Sequence, residues 1–345
     1  MSLEPATFAA VFAEIAGPGT ARSSTIRAAF EAILAGAWTP PQIAGLVVAL
    51  RMRGETAVDI TAAVEAMRSA MIAVDHGLEA TLDTCGTGGD GLGTLNVSTA
   101  AALVAAALGI SVAKHGNRAV SSKSGSADVV EALGVPIDLP AHRQAAVLRD
   151  VGIAFLFAPT HHPAMKHAAA VRRELGIRTI FNVLGPLANP ARATHQLVGS
   201  YDDALRPIMA QTLRALGTRR AWVVRGEDGA DEVSSSGPTR VTELDGEQIR
   251  ERIVTPEDFG VARVGVQATA GGDCAANAKA IEAILRGEPH PARSAVLLNA
   301  AAATVVARGG DLKDAAQRVD EVLTSGRAFA TLERWRVVVA RARAM

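Results

Sequence analysis

Five glycines fall within eight residues in the run Asp83-Thr84-Cys85-Gly86-Thr87-Gly88-Gly89-Asp90-Gly91-Leu92-Gly93. Glycine lets the backbone take positive φ and lets a ligand come close to the main chain. Successive exposed N–H groups in such a loop form a nest for an anion. A few residues on, Asn96-Val97-Ser98-Thr99 precedes an alanine-rich stretch, with Ser98 or Thr99 as the expected N-cap. A helix start offers free amides and partial positive charge, so phosphate binds there readily. A hydroxyl at such a terminus can also ligate Mg²⁺. Residues 86–91 satisfy Gly-x-Gly-x-x-Gly, yet no helix opens directly from them as a nicotinamide fingerprint requires. The Gly-Lys-Ser/Thr ending of a Walker loop is missing too. Alone, the cluster reads equally well as an idle surface turn.

A second candidate anion loop is Lys114-His115-Gly116-Asn117-Arg118-Ala119-Val120-Ser121-Ser122-Lys123-Ser124-Gly125-Ser126. Its cations can neutralise a pyrophosphate while hydroxyls and amides fix its geometry. Ser126 is the expected cap of the next helix, with Asp128 in its first turn. The bland alternative is a solvated basic loop. Adjacent carboxylates, Asp231-Glu232, follow the strand pattern that ends at Arg225. Such a pair can hold a hard divalent ion through oxygen, although acid pairs on loops are usually only exposed turns. His161, His162 and His167 lack the spacing of a helical metal pair and have no cysteine nearby, which argues against a transition-metal site. Arg172 follows on the same expected helix. It is either a surface charge or a planar partner for a carboxylate-bearing ligand.

The elements that must position these residues fall into two regions. Residues 1–75 read as a small helical domain. Apolar residues recur at helical spacing in 23–35, and further helices are expected over 42–52 and 55–72. Thr39-Pro40-Pro41 is a cap followed by early-turn prolines. From residue 76 to 345, short apolar strands alternate with helices. Strands are expected at 82–84, 110–114, 153–158, 196–200 and 220–225, and helices at 98–108 and 127–133. Helix returns at 275–285, 291–307, 313–325 and 328–343. This alternation predicts an α/β domain with a mainly parallel central sheet covered by helices. A helical segment near 162–178 is expected to join the small domain.

The whole chain narrows the functional classes. Its 345 residues suit two domains. Lys+Arg and Asp+Glu are both 35, so there is no basic excess of the kind a general nucleic-acid binder shows. Two distant cysteines, Cys85 and Cys274, make no disulfide framework and suit a reducing cytoplasm. Residues 1–10 lack the basic and apolar regions of a signal peptide. The apolar runs at 100–113 and 295–307 are short and mostly alanine, which suits buried helices better than membrane spans.

Together, residues 86–90, 96–99 and 114–126, the stretch Val171-Arg172-Arg173-Glu174-Leu175-Gly176-Ile177-Arg178-Thr179-Ile180-Phe181-Asn182-Val183-Leu184-Gly185-Pro186-Leu187, and Asp231-Glu232 carry a resemblance. In this order, and over nearly the full length, they resemble the anthranilate phosphoribosyltransferases of tryptophan biosynthesis. The resemblance implies a homodimer, each subunit having a small helical domain, a large α/β domain and an active site in the cleft. It implies that Gly86, Gly89, Asp90, Thr94, Asn96, Val97, Ser98, Thr99, Lys114, His115, Gly116, Asn117, Arg118, Ala119, Val120, Ser121, Ser122 and Ser126 bind 5-phosphoribosyl 1-pyrophosphate. Ser98, Asp231 and Glu232 would serve Mg²⁺. Gly86, Asn117 and Arg172 would meet anthranilate, and Lys114, Asp231 and Glu232 would be catalytic. The one departure is Ala230, where the family more often has a larger residue before the acids. Two other readings are weighed. A pyrimidine nucleoside phosphorylase shares the general fold by resemblance but would carry a different lysine-serine loop. A non-catalytic nucleic-acid-binding relative would show a basic groove and a degraded glycine loop.

Overall fold

The structure, a computed structural model, describes residues 7–17, 19, 21–119 and 124–344. The chain opens with four helices, α1 (Phe8–Ala16), α2 (Ser23–Leu34), α3 (Pro40–Arg53) and α4 (Ala57–Ala70). Thr39 caps α3, and Pro40 and Pro41 stand in its first turn, where a missing N–H costs nothing. The next elements are β1 (Leu82–Asp83), α5 (Val97–Ala107), β2 (Val112–Gly116), α6 (Ser126–Ala132), α7 (Ala141–Val151), β3 (Ile153–Phe157), α8 (Ala158–His161), α9 (Lys166–Leu175) and α10 (Phe181–Leu187). Then come β4 (His195–Gly199), α11 (Leu205–Ala215), β5 (Arg220–Gly226), β6 (Thr239–Asp245) and β7 (Gln248–Val254). The chain ends in α12 (Cys274–Leu285), α13 (Arg293–Arg308), α14 (Leu312–Thr324) and α15 (Arg327–Ala344). No single described helix is long and apolar enough to cross a membrane.

The strands form one seven-stranded sheet in the order β3-β2-β1-β4-β5-β6-β7. The first five are mutually parallel; β6 and β7 add as an antiparallel hairpin at one edge. Side chains alternate across a strand, and β5 shows the consequence. Trp222 and Val224 enter a core shared with α5, α12, α13, α14 and α15. Ala221 and Val223 enter a second core, made with α11, α10, α9 and the N-terminal helices. That second core joins the small bundle to the sheet. Helix α9 packs against α2 and α3 although it lies more than a hundred residues further along the chain.

Strand order reverses between β1 and β4, since the chain winds outward through β2 and β3 on one side and through β5 on the other. Beyond the carboxyl ends of strands at such a switch point lies the crevice where open α/β sheets bind ligands. The glycine run leaves β1 at this place.

Several local expectations need correction. The caps differ: Asn96, not Ser98 or Thr99, precedes α5, and Gly125 precedes α6, so Ser126 is its first helical residue. The strand expected at 110–114 runs from Val112 to Gly116, because a turn over 108–111 follows α5. The β6–β7 hairpin was not expected. Its signal was present: Thr-Arg-Val-Thr-Glu-Leu-Asp shows partial alternation and meets Asp245-Gly246, with Gly246 at φ 59°.

Candidate active site

The run from Gly86 to Gly93 makes a loop at the crevice. Gly88, Gly89, Gly91 and Gly93 have φ of 65°, 78°, 78° and 63°, where a side chain is strained. Three successive residues are anchored. The Thr87 amide donates to the Gly199 carbonyl at 2.9 Å, and the Thr87 hydroxyl accepts from the Tyr201 amide at 2.9 Å. The Gly88 amide donates to Asp231 Oδ2 at 2.8 Å. The Gly89 carbonyl accepts from Arg178. Beyond the loop, the Gly271 amide donates to the Gly93 carbonyl and Thr94 pairs with Ala270.

Helix α5 begins beside this loop. The Asn96 amide group does not cap it; it ties neighbouring segments together. Asn96 Oδ1 accepts from Asn277 Nδ2 at 2.9 Å and from the Ser124 hydroxyl at 3.2 Å. Asn277 Oδ1 in turn accepts from the Gly272 amide at 2.7 Å. Val97 and Thr99 are buried, and the Thr99 hydroxyl has no partner among the described residues. The Ser98 amide donates to Glu232 Oε1 at 3.3 Å. Sequence reasoning missed Asn277, whose lone amide on a helix carried no local signal.

Asp231 and Glu232 lie between β5 and β6 in a built turn. Asp228 accepts from the Ser234 and Ser236 hydroxyls at 2.6 and 2.7 Å, and Asn299 bonds both main-chain groups of Val233. The end of β4 presses against this turn so closely that a Cβ on Gly199 would stand 1.5 Å from the Asp231 carbonyl oxygen. The acid pair therefore faces the glycine loop and the start of α5 together. A Cβ on Gly86 would come 2.8 Å from Asp231 Oδ2.

Three carboxylates, Asp90, Asp231 and Glu232, gather here. Burial pushes Asp231 up to about 6, and the Asp90 carboxylate beside it adds to the rise. Burial, then Asp231, pushes Glu232 well above the usual carboxylate range. Among the described residues, Asp90 Oδ2 and Glu232 Oε2 are buried with no hydrogen-bond partner. Oxygen-only and mutually repelling, with two of its oxygens unpartnered, this set has the chemistry of a hard divalent-cation site. Lys114 is only 1% exposed. Its ammonium donates to the Thr84 carbonyl at 3.2 Å, the Thr84 hydroxyl at 3.3 Å and the Ser98 hydroxyl at 3.4 Å. It thus sits beneath the loop and holds Ser98, instead of lining the crevice.

The second loop differs more from expectation. Arg118 pairs with Asp128 at 2.9 Å and Glu131 at 2.6 Å and lies over the Phe157 ring. The Asp128 carboxylate also accepts from the Ala119 and Gly125 amides at 3.0 and 3.1 Å, pinching the base of the loop. Ser126 donates to the Asn117 carbonyl at 3.4 Å, and Gly116 is packed too tightly for any side chain. Of the three cations read as neutralising a pyrophosphate, Lys114 is buried, Arg118 is already paired, and Lys123 lies outside the described residues. Val120, Ser121 and Ser122 lie outside them as well.

The opposite wall comes from the small-domain side. Arg172 on α9 is half-buried, with its guanidinium 5.7 Å from the Phe181 ring centroid. Among the described residues no carboxylate pairs with it, and burial lowers its pKa. Phe181 starts α10, and the Gly185 carbonyl on the same helix accepts from His115 Nδ1 at 3.0 Å. His115 is buried two residues before Asn117 and packs 5.2 Å from the His162 ring. Burial, followed by the neighbouring His162, holds His115 well below the ordinary histidine range, so it is neutral. His161 bonds the Ile72 carbonyl and His167 packs over Gly36, so the three histidines of that segment point to different places.

A helical bundle joined to an α/β domain, with a glycine-rich loop facing an acid pair, fits a glycosyl transferase class. Matching family models agree: the glycosyl transferase family helical bundle domain covers residues 18–71 and the family's a/b domain covers 78–329. The particular family follows from whole-chain similarity. The chain is 47% identical over 327 residues to an anthranilate phosphoribosyltransferase of Rhodopseudomonas palustris, spanning 94% of this chain and 96% of that protein. It is 50% identical over 307 residues to one from Methylocella silvestris, spanning 89% and 88%. The solved Thermus thermophilus anthranilate phosphoribosyltransferase superposes with a TM-score of 0.91 at 42% identity, covering 96% of this chain and 99% of that one. The Saccharomyces cerevisiae enzyme, solved with PRPP and Mg, gives 0.90 at 28% identity, covering 98% and 99%. The chain belongs to the anthranilate phosphoribosyltransferase family, the enzymes that transfer a phosphoribosyl group to anthranilate in tryptophan biosynthesis.

Proposed function

We propose a division of labour for this transfer among the residues of the crevice. The observation that carries it is the facing of the glycine loop, the start of α5 and the acid pair. The Gly88 and Ser98 amides, which here bond Asp231 and Glu232, are the donors that a phosphate of 5-phosphoribosyl 1-pyrophosphate would take. Asp231 and Glu232, with the Ser98 hydroxyl, would hold Mg²⁺, and Asp90 stands beside them. The orphaned oxygens of Asp90 and Glu232 support this fit. When bound, Mg²⁺ supplies positive charge against the charge that collects on departing pyrophosphate. Arg172, half-buried and without an acid partner among the described residues, suits the anthranilate carboxylate. Asn117 and Gly86 are assigned to the meeting point of the two substrates.

In the reaction the anthranilate nitrogen forms a bond to ribose C1. The C1–O bond breaks, with its electron pair leaving on pyrophosphate, and the amine's surplus proton passes to solvent or to pyrophosphate. The aromatic amine is neutral near pH 7, so no strong base is needed. Positioning and charge stabilisation supply most of the acceleration. Lys114 contributes through its buried charge and through its hold on Ser98. The enzyme is further proposed to be a cytoplasmic homodimer. Met52 and Val58, 82% and 48% exposed on the small domain, offer apolar surface for a second copy. Purified protein with Mg²⁺, donor and anthranilate tests the assignment by loss of anthranilate fluorescence. No loss at high enzyme concentration overturns it, and light scattering checks the dimer.

A further inference from the structure

We infer that Arg178 is a positioning residue that couples the acceptor-side helix to the donor loop, an inference that rests on the site reading above. Arg178 lies in the short connection from α9 to α10. That connection is stiff at both ends. Gly176 closes α9 in the left-handed region at φ 60°, and the Thr179 amide donates to Asn182 Oδ1 at 2.9 Å at the start of α10. Arg172 lies six residues before Arg178 on α9, and Phe181, the ring beneath Arg172, lies three residues after it. A movement that seats Arg172 on an acceptor carboxylate therefore carries Arg178 with it.

Arg178 reaches the other way. Its guanidinium carbon stands 3.9 Å from the Tyr201 ring centroid, and it donates to the Gly89 carbonyl. Tyr201 is itself bound to the loop, because its amide donates to the Thr87 hydroxyl. The loop anchors at Thr87 and Gly88 come from the end of β4 and from the turn between β5 and β6. Among the described residues, only the anchor at Gly89 comes from the segment that continues the small-domain side. Fixing the carbonyl of a glycine at φ 78° fixes the plane of the next peptide, and so the direction in which the nest presents its amides. Arg178 is exposed and, among the described residues, pairs with no carboxylate, so its role is not that of a structural ion pair.

Such an arrangement makes acceptor and donor binding mutually dependent, since coupling between two sites is reciprocal. Steady-state rates over a matrix of both substrates, for wild type, Arg178→Ala and Arg178→Lys, test it. In wild type the donor KM should fall as anthranilate rises. In Arg178→Ala the donor KM should rise about 5–20-fold, from a lost charged hydrogen bond and ring contact, and lose its dependence on anthranilate. Its kcat and melting temperature should stay near wild type. Arg178→Lys should restore part of the effect, keeping a donor but losing the planar stack. An unchanged donor KM in Arg178→Ala, a wild-type donor KM indifferent to anthranilate, or a fall in kcat alone would each overturn the coupling. Absence of anthranilate consumption by the wild type would overturn the functional reading instead.

Discussion

Asp231→Asn should make the ligand-free protein more stable while making it a poor enzyme. The amide oxygen of Asn can still accept from the Gly88 amide, so the loop contact survives. What disappears is a buried charge beside Asp90 and Glu232. The rise of Asp231 from 3.8 to about 6 is worth about 3 kcal/mol at 1.36 kcal/mol per pH unit. The sign follows from linkage. A carboxyl whose folded pKa is raised binds more protons folded than unfolded between those two values, so its ionisation destabilises the fold as pH climbs through that window. The destabilisation is complete above pH 6 and absent below the ordinary carboxylate value. Chemical unfolding in EDTA should therefore show Asp231→Asn more stable than wild type by about 2–3 kcal/mol at pH 7.5, with little gain at pH 3.5. Activity should meanwhile need at least about tenfold more Mg²⁺, as loss of a metal-ordering group typically does. A stability gain equal at both pH values, or a loss at pH 7.5, would refute the charge-repulsion argument.

Other consequences follow from single contacts. Arg172→Ala should raise the anthranilate KM about tenfold or more with the donor KM nearly unchanged, by the usual strength of a charge-assisted pair, and steady-state kinetics measure both. Gly199→Ala should abolish Mg²⁺-dependent turnover, because its Cβ would meet the Asp231 carbonyl at 1.5 Å; a wild-type Mg²⁺ titration would contradict this. Asn277→Ala should cost about 1–2 kcal/mol in unfolding experiments and raise the donor KM, because Asn96 loses one of its anchors.

The sequence made the site legible where glycines, hydroxyls and acids carry chemistry in short runs. The nest was visible because positive φ selects glycine at Gly88, Gly89, Gly91 and Gly93. The acid pair was visible as chemistry, but its turn was not, since Asp228 and Asn299 support it from places with no motif. The sequence of the second loop shows its cations but not their partners, and Arg118 pairs with acids on α6. Asp128 and Glu131 carry helical spacing on α6, yet nothing local says that they point back onto Arg118. Parallel strands buried on both faces stood out as apolar runs, whereas β7, mostly exposed at the sheet edge, did not. Helix α10 was hidden by Gly185 and Pro186 inside it, residues that local propensity treats as breakers.

The division of labour at the crevice is tested most directly by calorimetric titration of 5-phosphoribosyl 1-pyrophosphate into the wild type and into the Asp231→Ala/Glu232→Ala double variant, each with Mg²⁺ and with EDTA. The expected result is Mg²⁺-dependent binding to the wild type that the double variant loses. Equal donor affinity in the two proteins, or in Mg²⁺ and EDTA, would contradict the placement of the metal-bound donor between the glycine loop and the acid pair.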